Sequence, residues 1–187
     1  MSDNRIRELV ASNPGQATVE EYKLVFEVVR ARAPCRMLVF GVGRDSALWM
    51  DANAGGTTVF LESIRAWADY SREHVPGITV HEVHYRTLRG LWPLYRRIPA
   101  LLSMGGLPAS VTRARWDVIL VDAPKGTRWY KPGRMKSVYT ARALAAPGAD
   151  IFVHDCHRPV EREASDFFLD PGHLVAEVDT LRHYRLP

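Results

Sequence analysis

Short apolar runs separated by helix-length stretches set the tightest limit on what this chain can become. Met37-Leu38-Val39-Phe40, Thr57 to Glu62, Ile78 to Tyr85, Trp116 to Asp122 and a run opening at Asp150 each have the length of a strand. Met37 to Phe40 is continuously apolar rather than alternating, as expected of a parallel strand buried on both faces. Between the runs lie stretches with helical spacing. Val19 to Ala33 is stopped by Pro34, a helix starts at Ala47, Ile64 to His74 is closed by Pro76-Gly77, Arg134 to Ala145 is stopped by Pro147-Gly148, and Val160 to Leu169 follows. Strand and helix alternate at the spacing of βαβ units, which predicts a Rossmann-like α/β fold: a mostly parallel sheet with helices on both faces. His173 to Val178 and Leu181 to Leu186 read as a closing antiparallel pair.

At 187 residues the chain fits one domain, 1–187. Arg86 to Arg115 breaks the pattern with Pro93, Pro99, Pro108, Gly105-Gly106, Trp92 and Tyr95 among arginines. It reads as an insertion on the rim of the sheet, serving either to cover the core or as a substrate platform or dimer contact.

Composition narrows the class. With 47% hydrophobic and 25% charged residues the chain is globular. A net charge of +4 is too small to imply a nucleic-acid partner and would suit an anionic small molecule or saccharide. Two cysteines, Cys35 and Cys156, give no disulfide framework or zinc ribbon. The start, MSDNRIRELV, lacks the apolar core of a signal peptide, and no run approaches the roughly 18 apolar residues of a membrane span. A soluble, cytoplasmic protein is the expectation, with an oligomer open.

In an open α/β sheet, ligands bind beyond the carboxyl ends of the strands, where strand order reverses. Five places qualify. Gly41-Val42-Gly43-Arg44-Asp45-Ser46 is a glycine turn between strand and helix, open to a cofactor or serving only as a tight turn. Glu62 ends the second strand, where an acid can hold ribose hydroxyls. Tyr85 and Arg86 end the third strand and are candidates for substrate binding. Asp122, followed by a basic loop with Lys125, Arg128, Lys131 and Arg134, ends the fourth strand. Lys125 and Arg134 are the candidates there to grip an anionic acceptor. His154-Asp155 ends the fifth strand. Asp122, His154 and Asp155 fit two chemistries equally, a divalent metal on Asp122 and Asp155 with His154 as a further ligand, or a general base drawn from His154 and the aspartates, with a purely structural hydrogen-bond network at the strand ends as the alternative to both.

These residues also carry a family resemblance. Leu38-Val39-Phe40-Gly41-Val42-Gly43-Arg44-Asp45-Ser46, Thr58 to Glu62, Tyr85-Arg86-Thr87, Trp116 to Gly126, Pro132-Gly133-Arg134-Met135, Val138 to Ala141 and Phe152-Val153-His154-Asp155 resemble the plant glucuronoxylan 4-O-methyltransferase and xylan-biosynthesis family. The resemblance spans roughly residues 37 to 170, with Arg44 where the plant pattern has His; a short microbial relative is the expectation. It implies a class I methyltransferase fold, S-adenosylmethionine as donor, the 4-hydroxyl of glucuronic acid as acceptor and a divalent metal such as Mg, Mn or Co. By resemblance, Gly41, Gly43, Asp45 and Ser46 lie at the methionine and sulfonium end of the donor. Glu62 holds its ribose, and Asp122, His154 and Asp155 face the reacting centre. The leading expectation is O-methyl transfer to a sugar or uronic-acid hydroxyl. Other attack on the sulfonium (cyclisation or aminocarboxypropyl transfer) and a non-catalytic scaffold are the alternatives. A nicotinamide enzyme is disfavoured by the missing third glycine.

Overall fold

The computed structural model describes residues 2–187. Helices α1 (Ser2–Ser12) and α2 (Val19–Arg32) precede strand β1 (Arg36–Phe40). Next come α3 (Ser46–Ala52), β2 (Thr57–Glu62), α4 (Arg65–His74) and β3 (Thr79–Glu82). Short helical turns, among them α5 (Trp92–Arg97) and α6 (Ala109–Thr112), lead to β4 (Trp116–Val121) and α7 (Met135–Leu144). The chain ends with β5 (Ala145–Val153), α8 (Pro159–Leu169), β6 (Leu174–Val178) and β7 (Leu181–Arg185). The seven strands lie in the order β3-β2-β1-β4-β5-β7-β6. The first five are parallel, and β7 runs antiparallel to both β5 and β6. Strand order reverses between β1 and β4, which opens a crevice there.

Alternate side chains of each strand feed opposite layers. Leu38 and Phe40 pack with Val138, Ala141 and Leu144 of α7 and Leu169 of α8. Met37 and Val39 pack with Tyr22, Val25 and Val29 of α2, Trp49 of α3 and Ala68 of α4. Both faces of the central strands are therefore buried, which is why their sequences read as continuous apolar runs.

Three expectations need adjustment. Helix α1 went unread because its pattern is mostly polar; Ile6 anchors it, only 1% exposed. Strand β3 is shorter than the Ile78–Tyr85 run. Residues 86–115 are the β3-to-β4 crossover itself rather than an insertion, since that connection must pass from the sheet edge over two strands. Within it Trp92, Tyr95, Leu102 and Val111 are buried, so it covers the core.

Asp150 ties the antiparallel side of the sheet together. Fully buried on β5, it accepts hydrogen bonds from His183 Nε2 (2.6 Å) and Arg185 Nε (2.9 Å) on β7, with Arg32 Nε of α2 at 2.5 Å. Burial opposes its charge, but these three partners outweigh it and hold the carboxyl below the ordinary range. Its contribution is therefore present above the unfolded carboxyl value and lost as pH falls through the depressed one. Asp150→Ala should cost about 2 kcal/mol in urea unfolding at neutral pH, because it leaves the buried His183 without its acceptor while Arg32 and Arg185 can turn to water. A loss under about 0.5 kcal/mol, the size typical of a surface change, would show that the three partners are satisfied elsewhere.

Candidate active site

Sheet register alone assembles the site. Phe40 pairs with Leu61 on one side and Val121 on the other, and Val121 pairs with Val153. The ladder continues one step beyond each strand: Gly41 N donates to Leu61 O, Asp122 N to Phe40 O, and His154 N to Val121 O. Glu62, Gly41, Asp122 and His154 therefore stand in one row across the carboxyl ends of four strands.

Gly41 (φ 111°) leads β1 into the turn, in backbone geometry that disfavours side chains. A Cβ there would also come 3.1 Å from Ala123 Cβ. At Gly43 a Cβ would crowd Asp45 Oδ1 at 2.9 Å. Glu62 Oε2 accepts from Val42 N (3.0 Å), and Oε1 accepts from Ser63 N and Ile64 N (2.6 Å each). Ser63 Oγ adds a long contact to Oε1 (3.5 Å), so Glu62 shapes the turn and only Oε2 keeps a position for a ligand. Beside these residues lies a cleft of about 200 Å³. Gly41 to Asp45 line one wall, Glu62 to Ile64 and Trp67 a second, and Asp122 to Lys125 a third, with Tyr22 of α2.

The floor of the row is a chain of alternating charges. Glu21 Oε2 lies 3.4 Å from His154 Nε2, and His154 Nδ1 is 2.9 Å from Asp122 Oδ1. Asp122 Oδ1 also accepts from Arg134 Nη2 (2.9 Å). The same Arg134 nitrogen is 2.5 Å from Asp155 Oδ2, which is 2.7 Å from Arg158 Nη1. Three anions and three cations, from α2, the ends of β4 and β5 and the starts of α7 and α8, thus neutralise one another. Burial works against the His154 charge, but Asp122 and Glu21 outweigh it and raise the imidazole to about 9. Burial likewise opposes Glu21, yet His154, Thr18 and Thr180 bring it down to about 2. Asp122 is held below the ordinary range by Arg134 and His154 despite burial. Asp45 behaves oppositely: burial, then the Asp122 charge, push its carboxyl up to about 6.

The expected roles divide accordingly. Gly41, Gly43, Asp45, Glu62, Asp122 and Lys125 all line the cleft. Ser46 does not; fully buried, it accepts from Gly43 N (3.1 Å) and tightens the turn. His154 is an imidazolium engaged through both nitrogens, so it is not a free base. Asp155 (φ 66°) sits one step behind the cleft, and Arg134, 4% exposed, is its partner rather than an arm for substrate. Tyr85 is 3% exposed and also lies behind the cleft, while Arg86 (φ 47°) is exposed. The carboxylates expected to share a metal share the Arg134 guanidinium instead. That donor set does not fit a bridging divalent ion, which would be repelled by the cation already there. Among the described residues no group of three or more His, Cys, Asp or Glu gathers to hold a metal.

Sequence reading missed Glu21 and Tyr22. Thr18-x-x-Glu21 is a capping box: Thr18 N donates to Glu21 Oε2 (2.7 Å) and Glu21 N to Thr18 Oγ1 (3.2 Å). That signature was legible as a helix start. Nothing local could announce that the same carboxylate reaches His154.

A profile of the IRX15/IRX15L/GXM family matches residues 20–90 and 95–184. The chain is 36% identical to "Glucuronoxylan 4-O-methyltransferase 2" of Arabidopsis thaliana, covering all of this chain and 71% of that one. It is 33% identical to "Arabinogalactan O-methyltransferase 2" of the same plant, covering 92% and 67%. The chain belongs to the IRX15/IRX15L/GXM family. That membership also takes in "Protein IRREGULAR XYLEM 15", 37% identical over 89% of this chain and 59% of that one. Among solved structures, a Staphylococcus aureus protein described as a candidate caffeoyl-CoA O-methyltransferase superposes with a TM-score of 0.64 at 11% identity, covering 100% and 93% of the two chains. A 16S rRNA methyltransferase of T. thermophilus, solved with AdoMet and guanosine, gives 0.56 at 14% identity, covering 94% and 45%. These two show the fold alone, that of class I methyltransferases. Several members of that family are named O-methyltransferases, and the fold is the one that methyltransferases share.

The raised His154 value can be measured directly. A histidine whose folded pKa lies above its unfolded value adds stability below pH about 6.5 that fades as pH rises through about 9. NMR titration should place His154 near 9 in the wild type and lower in Glu21→Gln. An unshifted value in both would mean the charge chain does not exist.

Proposed function

We propose that this IRX15/IRX15L/GXM family member methylates a hydroxyl of an acidic saccharide, the acceptor oxygen meeting the donor methyl beside Asp122. The observation that carries the reading is the single row of Glu62, Gly41, Asp122 and His154 along the switch-point cleft. The donor is a double cation at its methionine end, with an ammonium and a sulfonium. Asp45 and Asp122 are the carboxylates lining the cleft there, and the open glycine turn gives backbone access. Glu62 keeps an acceptor position for a ribose hydroxyl.

In the transfer, the acceptor oxygen forms a bond to the methyl carbon as the carbon–sulfur bond breaks, leaving a neutral thioether. The hydroxyl proton becomes strongly acidic only as the new bond forms. A well-placed carboxylate of low basicity can then receive it, so position counts for more than pKa. Asp122 is that carboxylate: Arg134 and His154 hold Oδ1, and Oδ2 enters none of these bonds. His154, Arg134 and Asp155 are positioning residues that fix the ring of charges around it. No step is routed through a metal. Lys125, exposed on the cleft rim, is the near cation for an acceptor carboxylate. The "Glucuronoxylan" and "Arabinogalactan" named for its relatives support a saccharide as acceptor class, and the first of them an acidic one.

Calorimetric titration with S-adenosylmethionine tests the donor half. Glu62→Ala should weaken binding by about tenfold or more, the loss expected on removing a buried hydrogen-bonding carboxylate. Asp45 must be ionised to meet the donor's charge, so wild-type affinity should fall as pH drops through about 6 and stay flat in Asp45→Asn. An affinity that Glu62→Ala leaves intact would place the donor elsewhere.

A further inference from the structure

The loop leaving the cleft ends in an aromatic tip that the transfer itself does not use. Lys131 N donates to Arg128 O (3.0 Å), closing a four-residue turn with Trp129 and Tyr130 at its centre. Such positions normally carry small or polar residues. Here Trp129 is 67% and Tyr130 46% exposed, edge to face with centroids 5.7 Å apart. The turn is pinned to the crossover: Gly90 N donates to Trp129 O and Arg89 N to Lys131 O, both 2.8 Å. Leaving an indole in water forfeits the burial that most such side chains gain, so a pinned and exposed pair marks a recognition surface.

The charges around it are of one sign. Lys131 Nζ stands 5.6 Å from the Tyr130 ring, and Lys125 and Arg128 lie on the same loop. Among the described residues none of the three enters an ion pair. Lys125 lines the cleft, so the cleft rim and the tip are one continuous stretch, Lys125 to Tyr130. Aromatic faces take the apolar C–H faces of sugar rings, and unpaired cations take carboxylates.

We propose that Trp129 and Tyr130 form a stacking platform for the sugars that flank the methylated residue along its saccharide chain. This rests on the methyl-transfer reading above and extends it from the reacting hydroxyl to the chain that bears it. Lys125 meets the carboxylate of the reacting unit, and Arg128 and Lys131 meet those further along.

The test compares acceptors carrying one uronic acid on oligosaccharides of increasing length. In the wild type kcat/KM should rise with length. In Trp129→Ala the ratio of long to short acceptor should fall by about tenfold, the size expected of one desolvated aromatic contact, with affinity for S-adenosylmethionine retained as proof of folding. Direct titration of the longest oligosaccharide, followed by tryptophan fluorescence that Trp129→Ala abolishes, reads the platform without turnover. Binding without transfer would sink the methyl-transfer reading and leave the platform standing. The platform is overturned by an unchanged length ratio in Trp129→Ala together with undiminished oligosaccharide binding. It is equally overturned if Trp129→Ala alters the molecular mass by light scattering, which would make the exposed face a contact between protein chains.

Discussion

The charge of Asp122 sits at the end of a buried strand, between an imidazolium and a guanidinium. That arrangement is costly to build, since each ion loses water, and it holds only because opposite charges alternate without a gap from Glu21 to Arg158. The donors of these charges lie far apart in sequence: a helix N-terminus, two strand ends and the starts of two later helices. Formation of the chain therefore requires the whole parallel core to be in register. The active site and the fold are in this sense one interaction network, and substitutions in its interior are expected to disturb both.

The network also separates two carboxylates that composition alone would treat alike. Asp122 is flanked by cations and stays ionised. Asp45 lacks such partners, feels Asp122 across the cleft and sits near pH 6. Asp122 is neutralised by its two cations, so Asp45 is the carboxylate that leaves a net negative charge in the cleft, while Lys125 and the loop beyond carry positive charge at its rim.

Much of this was legible in the sequence, and the limits are physical. Continuous apolar runs identified the parallel strands because both their faces are buried, and residues just past each run marked the edge where the cleft lies. Gly41, Gly43, Glu62 and Asp122 follow from that rule. Side chains at strand ends can face the cleft or turn behind it, and sequence position does not say which. Ser46, Tyr85 and Asp155 turned behind. Arg134 read as a grip for an anionic acceptor because its loop is basic, whereas two aspartates at the strand ends draw it inward. Glu21 was invisible because its partner lies more than a hundred residues away. The metal expected on Asp122 and Asp155 yields to the same guanidinium: one arginine supplies the positive charge that two adjacent carboxylates require.

The central claim is that this cleft directs the methyl group, and not another carbon of the sulfonium, to a saccharide oxygen. Methyl-labelled S-adenosylmethionine incubated with the protein and a pool of acidic oligosaccharides, in EDTA, tests it most directly. The account predicts label in the saccharide with S-adenosylhomocysteine formed in equal amount. Methylthioadenosine as the co-product, or label appearing only when a divalent ion is restored, would contradict it.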